Sequence, residues 1–193
     1  MITDLIDKER IRALVIPVTR LIARTGLTPN MLTVMGFGLN AAVGLIIALG
    51  ELRWAGVAFV LASIFDMFDG SLARLTDRVT PFGAFLDSNL DRFSEAAVCL
   101  GLLLLYTGKG ATIEVLLVYV VIVGSLMVSY SRARAEGLGL KCEVGLLGRP
   151  ERVTILTLGL LLDWIGPALW VLAIFANFTA LQRIYHVWRL TRK

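Results

Sequence analysis

Four aspartates carry most of the chemistry that this sequence offers. Asp66, Asp69, Asp87 and Asp91 fall within IFDMFDGSLARLTDRVTPFGAFLDSNLDRFSE, residues 64–95. Asp66 and Asp69 are spaced i, i+3 and Asp87 and Asp91 i, i+4, so each pair shares one face of a helix. Carboxylates gathered this closely repel one another; either some hold protons or cations neutralise them. Oxygen-only ligation suits hard ions, Mg²⁺ or Mn²⁺. Four shared carboxylates suit two ions about 3.5–4 Å apart, which stabilise the attacking and leaving oxygens of a phosphoryl displacement. The stretch holds neither His nor Cys, which argues against structural zinc. Gly70 follows Asp69, Gly83 precedes Asp87 by four residues, and Ala73 shares the Asp66/Asp69/Gly70 face. Such small residues let a ligand approach the backbone. Arg74 adds a guanidinium fork of the kind that grips phosphate. Metal ligands, a basic clamp and small neighbours describe a diphosphate site. Intramembrane carboxylates also build ion relays, so a divalent-cation transporter stays open, with Arg74 then a residue snorkelling at a helix end.

The elements that position these residues lie in a membrane. The 193 residues are 57% apolar and only 18% charged, with mean hydropathy +0.78. Soluble domains have about 45–50% and about 25%. Six segments read as candidate membrane spans: 31–49, 54–75, 82–106, 113–135, 153–164 and 167–187. Before them, Leu5, Ile6, Ile11, Leu14, Val15, Val18, Leu21 and Ile22 recur at near-helical spacing among basic residues. That pattern predicts an amphipathic helix on the membrane surface, bent near Pro17. Charges at Lys8, Arg10 and Arg12 argue against a removable signal peptide. Thr28-Pro29-Asn30 then breaks the chain, and Thr28 or Asn30 suits a helix cap. The expected architecture is all-α and integral to the membrane. An amphipathic juxtamembrane segment, 1–30, precedes a six-helix membrane domain, 31–193.

Six spans place 16 of the 19 Lys and Arg residues on one side and only Arg53 and Lys109 on the other, with Arg92 inside the third span. By the positive-inside rule, that side, with both termini and the aspartates, faces the cytoplasm. The net charge of +4 is then an orientation signal, and no nucleic-acid partner is expected. The short link between the second and third spans predicts adjacent antiparallel helices. Asp77 and Arg78 in that link read as a solvated loop pair. Gly36 and Gly44 read as helix-packing residues. Trp54, Trp164, Trp170 and Trp188 read as interface anchors, His186 as structural, and Cys99 and Cys142 as free thiols.

Asp66-x2-Asp69-Gly70-x2-Ala73-Arg74-x8-Gly83-x3-Asp87-x3-Asp91 resembles, at every fixed position, the signature of the CDP-alcohol phosphotransferase family. The resemblance implies a six-helix membrane enzyme, usually a homodimer. Such an enzyme moves a phosphatidyl-type group from a CDP-linked lipid to an alcohol and releases CMP. It implies that Asp66, Asp69 and Asp87 hold two divalent cations, and that Asp91 is the catalytic base and also touches a metal. Pro29, Asn30 and Thr33, with Asp69, Gly70, Ala73, Arg74 and Gly83, then line the CDP site.

The acceptor region is SYSRARAEGLGLKCEVGLLGRPERV, residues 129–153. Its Arg132, Arg134, Arg149 and Arg152 are either plain inside charge or a cradle for an acceptor's phosphate. The segment resembles the SY-x-[KR]-A-R-A-E…R-P-E-R pattern of phosphatidylinositol-phosphate synthases. That implies inositol 1-phosphate as acceptor, bound by these four arginines and by Arg183 of the last span. Arg132 stands where those enzymes commonly carry Lys, and Gly148 where an acidic residue is frequent. Phosphatidylglycerophosphate synthases, which use glycerol 3-phosphate, are the close rival. The resemblance implies CDP-diacylglycerol or CDP-archaeol as donor.

Overall fold

Thr-Pro steps start two of the helices that matter most. Thr28 caps the first by accepting a hydrogen bond from the Met31 N–H at 3.3 Å, and Thr80 caps the second by accepting from the Gly83 N–H at 3.0 Å. In each case proline at the first helical position fixes φ without losing a needed donor. The computed structural model describes residues 8–192, so Leu5 and Ile6 of the expected amphipathic start lie outside it. Seven helices run through those residues: α1 (Lys8–Ala23), α2 (Pro29–Ala48), α3 (Leu52–Leu75), α4 (Pro81–Gly108), α5 (Thr112–Glu136), α6 (Arg149–Leu161) and α7 (Ile165–Thr191). Pro17 lies inside α1, which runs on through it.

Helices α2 to α7 close into a ring in which each packs on two others, in the order α2, α4, α5, α7, α6, α3 and back to α2, with α1 outside against α3. At one end of the ring, the turns 49–51, 109–111 and 162–164 reverse the chain in three residues each. Gly50, Gly110 and Asp163 supply the positive φ that these turns require. At the other end the connections are longer, 76–80 and 137–148. The buried apolar core, including Val43, Ile47, Phe59, Leu102, Val118, Leu160 and Leu169, fills the tight-turn end. The aspartates therefore sit at the end with the long connections.

One expectation is corrected. The short link between α3 and α4 predicts adjacent helices, yet the two share no substantial packing; each lies against α2 instead. Small residues explain the choice. A Cβ at Gly44 would strike the Ala97 carbonyl of α4, and a Cβ at Gly101 would strike the Gly44 carbonyl of α2. Two facing glycines let these backbones touch, and α4 is drawn onto α2. The carboxylate-bearing faces of α3 and α4 flank an opening rather than a seam.

Helices α2, α3, α5 and α7 are long and apolar enough to cross a membrane. Helix α4 has 28 residues but carries Asp87, Asp91 and Arg92 in its first half and Glu95 at its middle. Helix α6 has 13 residues, about 20 Å at 1.5 Å per residue, short of the roughly 30 Å hydrocarbon core. Large apolar side chains point outward all round the ring, among them Leu45, Trp54, Leu61, Leu104, Ile113, Tyr119 and Ile174. That surface belongs to an integral membrane protein, with lipid rather than water as its solvent.

Candidate active site

Two helix N-termini and one helix C-terminus enclose a cavity of about 290 Å³ at the polar end of the ring, lined in part by Arg78, Thr80 and Asp87. Pro29, Asn30 and Thr33 come from the first turns of α2. Asp69, Gly70, Ala73 and Arg74 come from the last turns of α3, and Gly83 from the start of α4. All eight residues assigned from sequence to the CDP site thus border one space. The two helix starts nearly touch: a Cβ at Gly83 would lie 3.1 Å from Thr80 Oγ1 and 3.2 Å from Asn30 Oδ1. Unpaired N–H groups and the positive ends of two helix dipoles favour an anion there. A second hollow lies along α1 and α3. It is bordered by Val15, Ile16, Met67 and Leu75 and shares Asp69, Gly70 and Arg74 with the first. Two chambers, each with charged and apolar side chains on its walls, therefore meet across a single edge of α3, and Arg74 folds back over Gly70 at the junction.

Asp66 and Asp69 stand on the same edge, and Asp87 and Asp91 come from α4 across the opening. Asp69 is 8% exposed and accepts a hydrogen bond from the Thr33 hydroxyl at 2.9 Å and another from the Gly70 N–H. Asp66 lies against Gly36, where a Cβ would strike its carboxylate, and the buried Asn40 reaches toward it from the next turn of α2. Asp87 lines the cavity and is close enough for its charge to act on Asp66, Asp69 and Asp91. Arg149, from the first turn of α6, bridges two members: its Nη2 lies 3.1 Å from Asp66 Oδ2 and 2.8 Å from Asp91 Oδ1.

Among the described residues, no three His, Cys, Asp or Glu side chains converge to hold an ion as they stand. The donor set nonetheless fits hard divalent cations. Every candidate donor is a carboxylate oxygen, and a guanidinium stands between two of the carboxylates as a positive charge beside them.

The arginines read from sequence as an acceptor cradle are placed differently. Arg132 pairs with Glu136 at 2.8 Å on the exposed end of α5, where Arg134 is also exposed. Arg152, 3% exposed, donates through Nε and Nη2 to Glu95 at 2.7 and 2.9 Å. Arg183, also buried, donates to the Val144 and Val128 carbonyls. Arg132 and Arg152 lie near enough for their charges to act on Arg183, so α5, α6 and α7 converge at this corner.

The sequence pattern of CDP-alcohol phosphatidyltransferases matches residues 26–185, a stretch that contains the whole cavity. The chain belongs to that family. It is accordingly a membrane phosphotransferase. Over 194 aligned residues it is 34% identical to the phosphatidylinositol phosphate synthase of Mycobacteroides abscessus, covering 96% of this chain and 88% of that protein. It is 34% identical over 165 residues to the archaetidylinositol phosphate synthase of Pyrococcus horikoshii, covering 85% of each. The crystal structure of Mycobacterium tuberculosis phosphatidylinositol phosphate synthase with CDP-DAG bound matches with a TM-score of 0.84 at 33% identity, covering 89% of this chain and 92% of that one. The same enzyme in complex with manganese and citrate gives 0.83 at 32% identity, covering 89% and 88%.

Within the family framework, several residues escape a reading of the signature alone. Arg78, read as half of a solvated loop pair, lines the cavity. Thr80 repeats at α4 the Thr-Pro cap of α2, and that repeated step is the signal from which it could have been found. Gly36, read as a packing residue, makes room for a carboxylate rather than for a helix. Asn40 and Glu95 had no local signal at all.

Proposed function

We propose that this chain transfers a phosphatidyl group from CDP-diacylglycerol, or its archaeol counterpart, to inositol 1-phosphate, releasing CMP. One observation carries the reading: the eight donor residues and Asp87 border a single cavity, beside the cluster of Asp66, Asp91 and Arg149. The donor is a nucleotide joined to a lipid through a diphosphate. The chamber between two helix N-termini suits the CDP head, and the hollow along α1, with Val15, Ile16, Met67 and Leu75 on its walls, suits the start of the tails. Relatives named for inositol-phosphate lipid synthesis, one bacterial and one archaeal, support the acceptor class.

In this reading Asp66, Asp69, Asp87 and Asp91 would hold two divalent ions, Mg²⁺ or Mn²⁺. Bound there, such ions polarise phosphoryl oxygens and neutralise the leaving group's charge. The chain's own residues do the rest. Asn30, Thr33 and the glycine-lined walls orient the nucleotide, and Arg74 grips the diphosphate. Arg149 swings from the carboxylates to the acceptor's phosphate, joined at the converging corner by Arg132 and Arg134. Arg152 and Arg183 brace that corner from within. Asp91 takes the proton from the acceptor hydroxyl. The acceptor oxygen forms a bond to the lipid-side phosphorus, the bond from that phosphorus to the CMP oxygen breaks, and CMP departs. Positioning and electrostatics supply most of the acceleration, as in other phosphoryl transfers.

The same proposal completes the membrane picture. Six spans, α2 to α7, cross the bilayer with α4 and α6 carrying the polar residues, and 31–193 form one membrane domain. Helix α1, the described helix of segment 1–30, lies amphipathically at the inner surface. The positive-inside count puts both termini and the site in the cytoplasm. The enzyme works as a homodimer in the cell membrane.

Glycerol 3-phosphate is the alternative acceptor, favoured by the departures at Arg132 and Gly148 from the inositol-phosphate pattern. A cation transporter fits less well, because apolar side chains fill the ring's other end. Purified protein given CDP-diacylglycerol, Mn²⁺ and each acceptor in turn decides among these. Faster CMP release with inositol 1-phosphate is expected. Preference for glycerol 3-phosphate would reassign the acceptor, and no release with either, alongside metal flux in liposomes, would overturn the enzyme reading.

A further inference from the structure

Helices α4 and α6 are joined by two rungs of charge. In the outer rung Arg149 reaches Asp91 at 2.8 Å. In the inner rung Arg152 grips Glu95 with two parallel bonds of 2.7 and 2.9 Å. Asp91 and Glu95 are i, i+4 on α4, and Arg149 and Arg152 are i, i+3 on α6, so both rungs lie on one face of each helix.

The rungs differ in freedom. Side chains of the outer rung are 33% and 17% exposed and border the site. The two carboxylates are alike, with Glu95 18% exposed, but the Arg152 side chain is 3% exposed, and the hollow beside it is walled by Phe59, Val98, Val121, Leu156 and Leu172. That hollow measures about 10 Å³, room for about one water and none for a phosphate. Arg152 Nη1 and Ser125 Oγ, both buried without a partner, share it. An acceptor therefore does not reach Arg152, and parting the pair would strand the buried Arg152 guanidinium without a carboxylate. Helix α6 needs such an anchor. It has only 13 residues, and its N-cap, Gly148, makes no side-chain cap bond.

We infer that Glu95 is a positioning residue: through Arg152 it fixes the first turn of α6 and so sets where Arg149 stands over Asp66 and Asp91. The effect on acceptor binding rests on the proposed role of Arg149. Reassigning Arg152 from phosphate ligand to anchor is part of the inference.

The test is a double-mutant cycle. Glu95→Met/Arg152→Met removes both charges and keeps volume, a change that buried pairs often tolerate. The expected result is a folded protein with its donor KM within about twofold and its acceptor KM raised about tenfold or more. Adding Arg149→Ala should raise acceptor KM little beyond Arg149→Ala alone, because coupled residues are non-additive. Additive losses, or an unchanged acceptor KM in the Met/Met protein, would overturn the inference. Should Arg149→Ala alone leave acceptor KM unchanged, the acceptor reading fails. The anchor is then judged by Tm in ligand-free protein: coupled losses between the Met/Met pair and Arg149→Ala sustain it, and additive losses refute it. Should the Met/Met protein not fold, Glu95→Asp, which keeps the charge but shortens its reach, takes its place. It should raise acceptor KM severalfold at unchanged donor KM, and equal change in both would count against positioning.

Discussion

The donor cavity and the arginine corner are built on opposite principles. Around the cavity, the surfaces come from local structure: two Thr-Pro caps, one helix end, and small residues that expose backbone. At the corner Arg149, Arg152 and Arg183 have tertiary partners, and Arg132 pairs within its own helix. Arg132 pairs with Glu136, Arg149 with Asp66 and Asp91, Arg152 with Glu95, and Arg183 with two carbonyls. A chamber made from helix ends is preorganised for one kind of ligand. At the corner Arg149, more exposed than Arg152, can exchange partners while Arg152 and Arg183 hold theirs, and a change of one residue can retune it. The donor half thus reads as the fixed part of the enzyme and the acceptor half as the adjustable part.

Substitutions separate the two. Asp91→Asn should have the largest effect, lowering CMP release by about 10²–10⁴-fold, the usual contribution of a positioned general base. CDP-diacylglycerol binding should stay measurable in a filter or calorimetric assay, and near-normal turnover would remove Asp91 from that role. Arg149→Ala should come next, with acceptor KM up by about tenfold or more and donor KM nearly unchanged, since a charge-assisted bond contributes about 1.5–3 kcal/mol. An equal rise in both would erase the proposed division. Gly36→Ala thrusts a methyl group at Asp66 and should lower kcat severalfold with little change in acceptor KM; wild-type kcat would show that Asp66 has room to move. Thr33→Val should be mildest. It deletes the 2.9 Å hydrogen bond to Asp69, worth about 0.5–1.5 kcal/mol, and should cost about two- to tenfold in kcat/KM for the donor alone.

The same contrast explains what the sequence discloses. Asp66, Asp69, Asp87 and Asp91 are legible because helical spacing is local, and a run of carboxylates in apolar surroundings stands out. The caps at Thr28 and Thr80 are local too. The ring order is not local. Nothing in the link 76–80 reveals that α3 and α4 diverge, because the cause is the contact of Gly44 with Gly101, far along both helices. Arg152 and Glu95 are separated by 57 residues, so their pairing leaves no periodic trace, and Arg152 reads as one more basic loop residue. Arg78 looks solvated for a related reason, since only the tertiary opening between α3 and α4 gives it a cavity to face.

Initial rates of CMP release from CDP-diacylglycerol, measured with inositol 1-phosphate and with unphosphorylated inositol at equal concentration, test the central claim most directly. A site that joins a donor chamber to a guanidinium corner should turn over the phosphorylated acceptor and leave the plain polyol nearly inert. Equal rates with both would contradict it.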